Sequence, residues 1–271
     1  METGGKKLNE LLVGKNTLKM NLIHRLSGLL LLLFCFHLAK AQKYDNSGPI
    51  LQIGIHYGFQ WPGGDLQQRF GNNGITGLQI DYSLPKGWTL GLQASLLFGQ
   101  EVKTDVLEPL RDENGLIYNY DGTPANVLMR ERGQYYGLHL GYFFRGKAPK
   151  GNQQGPVLQL GAGLLQHKVR IIGDVGGSIP QLSGEYLKGY DRLSNGLALR
   201  QSIGYRYLDA RRRINLSIEL EAYQAFTQSR RDWNIDQMAA DTQKRLDLLF
   251  GFKLSWILPL YVAENADELE Y

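Results

Sequence analysis

His56, His139 and His167, with Ser95 and Glu219, are the residue types that an acyl-transfer or lipid-hydrolysing site requires. Such a site sets a hydroxyl nucleophile beside an imidazole base that a carboxylate orients. None of the five lies in a recognisable nucleophile motif. Three histidines on separate segments also suit a metal ion, but their spacing fixes no convergence, so neither a metal nor a cofactor is expected. A second set is charged: Asp81, Arg200, Arg206, Glu219, Glu221, Asp247 and Lys253. The histidines and these charges share one property with Gln79 and Gln93. Each falls on the polar parity of a segment whose other parity is apolar.

That alternation dictates the elements. Successive strand side chains point to opposite faces. Period two predicts strands over residues 50–60, 75–84, 88–99, 134–144, 157–167, 197–207, 214–226 and 246–260. In the first, Leu51, Ile53, Ile55, Tyr57, Phe59 and Trp61 oppose Gln52, Gly54, His56, Gly58 and Gln60. The connections 85–87 and 209–213 are short, whereas 100–133, 168–196 and 227–245 are long. Long and short connections therefore sort onto opposite ends, as in a transmembrane barrel with short turns on one side and loops on the other. The polar parity is rich in glycine, including Gly91, Gly137, Gly163, Gly204 and Gly251, where a solvated sandwich face would carry lysine and glutamate. Glycine makes room inside a narrow eight-stranded barrel. Outward aromatics near strand ends, such as Trp88, Tyr142, Tyr205 and Trp256, suit interfacial girdles. The expected fold is all-β: eight antiparallel up-and-down strands spanning a membrane.

Inside such a barrel, unpaired charges are costly. Strand direction places Arg200 near the height of Glu221 and Lys253 near Glu219, so a plug of interior ion pairs with Asp81 and Arg206 is expected. Residues 63–70 predict one helical turn capped by Asp65, and residues 236–242 another short helix. The loop 106–127, with its tyrosines and its Asn114-Gly115 and Asp121-Gly122 turns, reads as a self-packed cap or a partner surface.

Ahead of the strands stands the apolar run of residues 28–38, with Arg25 before it and Ala39-Lys40-Ala41 after it. A basic flank, a short apolar core and an A-x-A site predict an export signal over residues 1–41, cleaved after Ala41, with Met20 a plausible start. Cys35 lies inside that core behind Phe34, which disfavours lipidation and leaves the mature chain without thiols. The full chain carries +4, but residues 1–41 hold six Lys/Arg and two Asp/Glu, so the remainder has 24 of each. A neutral mature chain gives no reason to expect nucleic-acid binding. Residues 42–49 lead into a barrel over 50–261, and an acidic tail with Glu264, Asp267, Glu268 and Glu270 occupies 262–271.

On these features the chain resembles the small eight-stranded outer-membrane barrels of the OmpA-transmembrane and OmpX-like group. The segment around Gly251, Leu254 and Trp256 is similar to the closing signal read by the barrel-assembly machinery, except that a tail follows it. The style also looks like Bacteroidota barrels, where similar chains serve type IX secretion or barrel-assembly complexes. The resemblance implies a Gram-negative outer-membrane location in contact with lipid and lipopolysaccharide. It also implies insertion by the assembly machinery and an envelope protein partner. The expected role is a non-enzymatic accessory interaction subunit. The alternatives are a lipid-modifying enzyme using the inward histidines and a narrow passive pore, which a filled eight-stranded lumen disfavours.

Overall fold

The computed structural model describes residues 48–147, 152–174 and 179–262. Among them, eight long strands and one two-residue strand form a single antiparallel sheet. The long strands are β1 Ile50–Gly64, β2 Asn73–Ser83, β3 Trp88–Gly99, β4 Val127–Phe143, β6 Gln153–Gly173, β7 Ser194–Leu208, β8 Asn215–Ser229 and β9 Lys244–Tyr261. The short β5, Gly146–Lys147, pairs only with the start of β6. Each long strand bonds to its chain neighbours, β4 bonds to β6, and β9 returns to β1. The ring is closed. Closure leaves no unpaired edge, which is what permits strands to cross hydrocarbon.

The register fixes the shape. Following partners once around, Gly54 faces Gln79, then Gln93, Gly137, Gly163, Ala198, Ala225, Asp247 and finally Gly64. One circuit therefore climbs ten residues, from Gly54 to Gly64, along β1. With strand rise and spacing of about 3.3 and 4.8 Å, that stagger gives a tilt of about 41° and a backbone radius of about 8 Å. Side chains alone can fill such a lumen.

The strands outrun the sequence reading at the loop end. β4 begins at Val127 rather than residue 134, and β6 continues to Gly173 rather than residue 167. The reason is an inversion of polarity. Along β6, Leu158, Leu160 and Leu164 point outward, and then Lys168 and Arg170 do so while Val169 and Ile171 turn inward. β4 inverts alike, with Arg130 and Arg132 outside and Glu131 buried. A rule that keeps apolar residues on one face ends these strands at the inversion. The long loops shorten accordingly to residues 100–126, 174–193 and 230–243.

Both helical expectations need correction. Leu66–Arg69 is a helix, but Asp65 does not cap it; its carboxylate accepts the Leu246 backbone N–H at 2.7 Å. No helix forms over residues 236–242; residues 235–238 make a turn closed by an Asn234–Ala239 bridge, and 240–242 are irregular. The expected export signal, the acidic tail beyond Val262 and most of segment 42–49 lie outside the described residues. Among the described residues no helix is long and apolar enough to cross a membrane.

Candidate functional site

The interior is layered. At the short-turn end Ile50, Phe143, Leu208 and Ile257 form a small apolar floor. Above it lies a charged layer in which Arg200 holds the most partners. Its Nε and Nη2 donate to Glu221 Oε1 at 3.1 and 3.0 Å, and Nη2 also reaches Glu219 Oε2 at 3.1 Å. Nη1 donates to Gln159 Oε1 at 3.0 Å. Lys253 Nζ lies 3.3 Å from Glu219 and 3.2 Å from Glu221, and donates to Gln79 Oε1 at 2.9 Å. Arg206 crosses toward β2, donating to Asp81 Oδ2 at 3.0 Å and to Gln52 at 2.8 Å. Asp81 also bonds His139 Nε2 at 2.8 Å and accepts both bonds that Gln79 Nε2 donates.

Three cations thus meet three carboxylates in a layer shut off from solvent. Balance of this kind is what makes buried charge tolerable. The void bounded by Gln52, Asp81, Arg206 and Glu219 is about 10 Å³, room for at most one water. Gly91 shows why glycine is needed: a Cβ there would stand 2.3 Å from both Asp81 Oδ1 and His139 Nε2.

The expected site residues fall as follows. Arg200 meets Glu221, and Lys253 meets Glu219, as strand heights predicted. Gln79 and Gln93 serve as connectors, Gln93 donating to Tyr223 Oη at 3.1 Å and to Ser95 at 2.9 Å. The three histidines do not converge. His56 Nε2 lies 3.0 Å from Ser95 Oγ, His139 joins Asp81, and His167 Nε2 bonds Asp247 Oδ2 at 2.8 Å. The His56–Ser95 pair lacks the third member of a triad: no carboxylate reaches His56 Nδ1 among the described residues. Glu219 is committed to Arg200 and Lys253 instead. Gly251 faces inward, whereas Leu254 and Trp256 project outward into exposed positions.

The loop 106–127 does pack as a cap, one of its two expected readings, but the sequence did not show that the other loops join it in a lid. Val106, Leu107 and Ile117 from one loop, Ile179, Leu182 and Tyr190 from another, and Leu66 and Phe70 pack onto Ile75, Leu97, Val169 and Ile171. This apolar cluster seals the loop end. Arg69 is buried beneath it, donating to Ser194 Oγ and the Arg192 carbonyl. Burial is the main reason its guanidinium is pulled down, to about 10. The isolated hydrophobes of these loops had no period to reveal them.

The exterior decides the environment. Leu160 is 67 % exposed, Leu220 62 %, Leu90 60 % and Leu140 52 %, each with an outward apolar residue directly opposite on an adjacent strand. An apolar belt around a closed barrel has no stable place in water. Aromatic clusters bracket it, Trp88, Tyr142 and Phe144 at the short-turn end and Phe59, Trp61 and Phe252 nearer the loops. This is the surface of a barrel embedded in lipid.

No family model matches the chain, and no curated protein sequence matches it. Solved structures do. Neisserial surface protein A (NspA) superposes with a TM-score of 0.40 at 9% identity, over 77% of this chain and 96% of that one. Ail, the attachment invasion locus protein of Yersinia pestis, gives 0.35 at 8% identity, over 78% and 99%. The outer membrane protein OprG from Pseudomonas aeruginosa gives 0.36 at 10% identity, over 81% and 99%. On the closure of its sheet and the belt that surrounds it, the chain is an eight-stranded antiparallel transmembrane β-barrel.

Proposed function

We propose that the protein is a non-enzymatic, non-conducting interaction subunit of an envelope complex, engaging a protein partner through its loop crown. One observation carries this reading. The lumen is plugged and lidded, while Tyr120, Tyr186 and Met238 stand on the loops at 80, 66 and 71 % exposure, with Trp233 at 50 %. Aromatic, methionine and arginine side chains are those that partner interfaces favour. The crown holds them on a rigid base, because the same loops bury Leu107, Leu182 and Tyr190 beneath them. Secretion and outer-membrane protein assembly are the processes such a subunit would serve, with insertion guided by Gly251, Leu254 and Trp256.

The test is a mild-detergent pull-down of the native protein with mass spectrometry, run beside a Tyr120→Ser, Tyr186→Ser, Trp233→Ser variant. A stoichiometric envelope partner that the variant loses supports the proposal. Recovery of the barrel alone, or a partner the variant keeps, overturns it.

A further inference from the structure

Where β4 and β6 leave the apolar belt, their outward side chains pair like with like. Arg132 stands directly opposite Lys168, and Arg130 directly opposite Arg170. Like charges facing each other across strands are destabilising unless something between them is negative. The protein supplies little. Asp191 approaches Lys168 at 3.6 Å, but Arg231 already holds that carboxylate through bonds of 2.8 and 2.6 Å. Among the described residues, Arg132 and Arg130 donate only to the Glu131 and Gln100 backbone carbonyls. Arg170 has no carboxylate partner among the described residues.

Arg132, Lys168 and Arg170 line a groove of about 900 Å³ on the outer wall, between β3, β4, β6 and the loop carrying Lys188 and Asp191. Its polarity is graded. Leu96 and Phe98 line one wall, and Phe98 is in register with Arg132. Gln134 and Gln166 face each other next, and Arg132, Lys168 and Arg170 follow. Lys168 is eight residues beyond Leu160, in the middle of the apolar belt, hence about 20 Å higher along the barrel axis at a tilt of about 41°. That height is where headgroups have replaced hydrocarbon.

We propose that this groove binds a phosphate-bearing lipid of the outer leaflet, its phosphate between Arg132, Lys168 and Arg170 and its acyl chains along Leu96 and Phe98. A free anion would satisfy the cations but leave the apolar wall uncovered. An acidic peptide would have to enter from the membrane side. An amphiphile matches both halves in the order the barrel presents them. The site stands apart from the crown aromatics and needs no protein partner, so it can succeed or fail independently of the proposed interaction role.

The test titrates the purified full chain, in neutral detergent, with fluorescent lipid A and with the same lipid enzymatically dephosphorylated. The phosphorylated form binds at least about tenfold more tightly, the difference expected from one charge-assisted contact. K168Q/R170Q loses about tenfold, R132K/R170K retains binding, and R211Q/R213Q, the same charge loss at the short-turn end, changes nothing. The melting temperature of K168Q/R170Q is unchanged or raised, since a like-charge pair has been relieved. Equal affinity for both lipids, or wild-type affinity in K168Q/R170Q, overturns the proposal. Full displacement by millimolar inorganic phosphate overturns the assignment to a lipid.

Discussion

Arg200→Met removes the cation that touches both Glu221 and Glu219 at about 3 Å. At an effective dielectric near 20, each contact has a gross Coulomb strength of about 5 kcal/mol. Removing a buried partner exposes the desolvation cost of the carboxylates left behind, and the net loss for such deletions is about 3–5 kcal/mol. Lys253 still bridges both carboxylates, and Arg206 stands 3.8 Å from Glu219, so the lower half of that range applies. Adding Glu221→Gln restores charge balance, and the double variant R200M/E221Q recovers at least about 2 kcal/mol over the single one. Urea unfolding in lipid vesicles, followed by tryptophan fluorescence, measures both. A loss below about 1 kcal/mol for R200M, or a double variant as destabilised as the sum of the singles, would refute the account of the interior as a balanced ion network.

Other consequences follow from single positions. Neither the wild-type protein nor R200M conducts in planar bilayers, because the lid and the charged layer each close the lumen; steady single-channel steps in the wild type would contradict this. Gly163→Ala places a Cβ 2.2 Å from the Tyr136 carbonyl and 2.6 Å from Gly137 Cα, and costs about 1–3 kcal/mol, whereas Gly54→Ala meets only ordinary contacts at 3.7 Å and is nearly neutral in the same unfolding assay. Leu160→Arg costs about 2–4 kcal/mol, the penalty for a cation on the lipid face near mid-membrane. In the crown, the Leu116 backbone N–H, with help from Tyr118 and Asn114, holds the Asp112 carboxyl below the ordinary aspartate value. Its turn is therefore stabilised above the unfolded value and loosens as pH falls through the lower folded one. The pH-dependent amide shift of Leu116 reports it, and a midpoint at or above the ordinary value would contradict the bonding.

The barrel was legible in the sequence because lipid and lumen impose opposite demands on alternate residues. Leu90, Leu92 and Leu96 against Gln93 and Ser95 already state which face is which. The Arg200–Glu221 and Lys253–Glu219 pairs were legible too, since they join adjacent strands whose heights follow from direction. Contacts across the lumen were not. Arg206 reaches Asp81, and His139 joins it, between strands that are not neighbours, and those meetings depend on the ten-residue stagger. Nor were the upper halves of β4 and β6 legible. There headgroups and water replace hydrocarbon outside, the lid replaces the polar lumen inside, and the parity rule reverses at Lys168 and Arg132.

The most direct measurement is spin-label accessibility at single cysteines replacing Leu160, Gln159 and Arg170 in vesicles. The account predicts oxygen access without nickel-chelate access at Leu160, access to neither at Gln159, and nickel-chelate access at Arg170. Nickel-chelate access at Leu160 would place that face in water and contradict the membrane-spanning barrel.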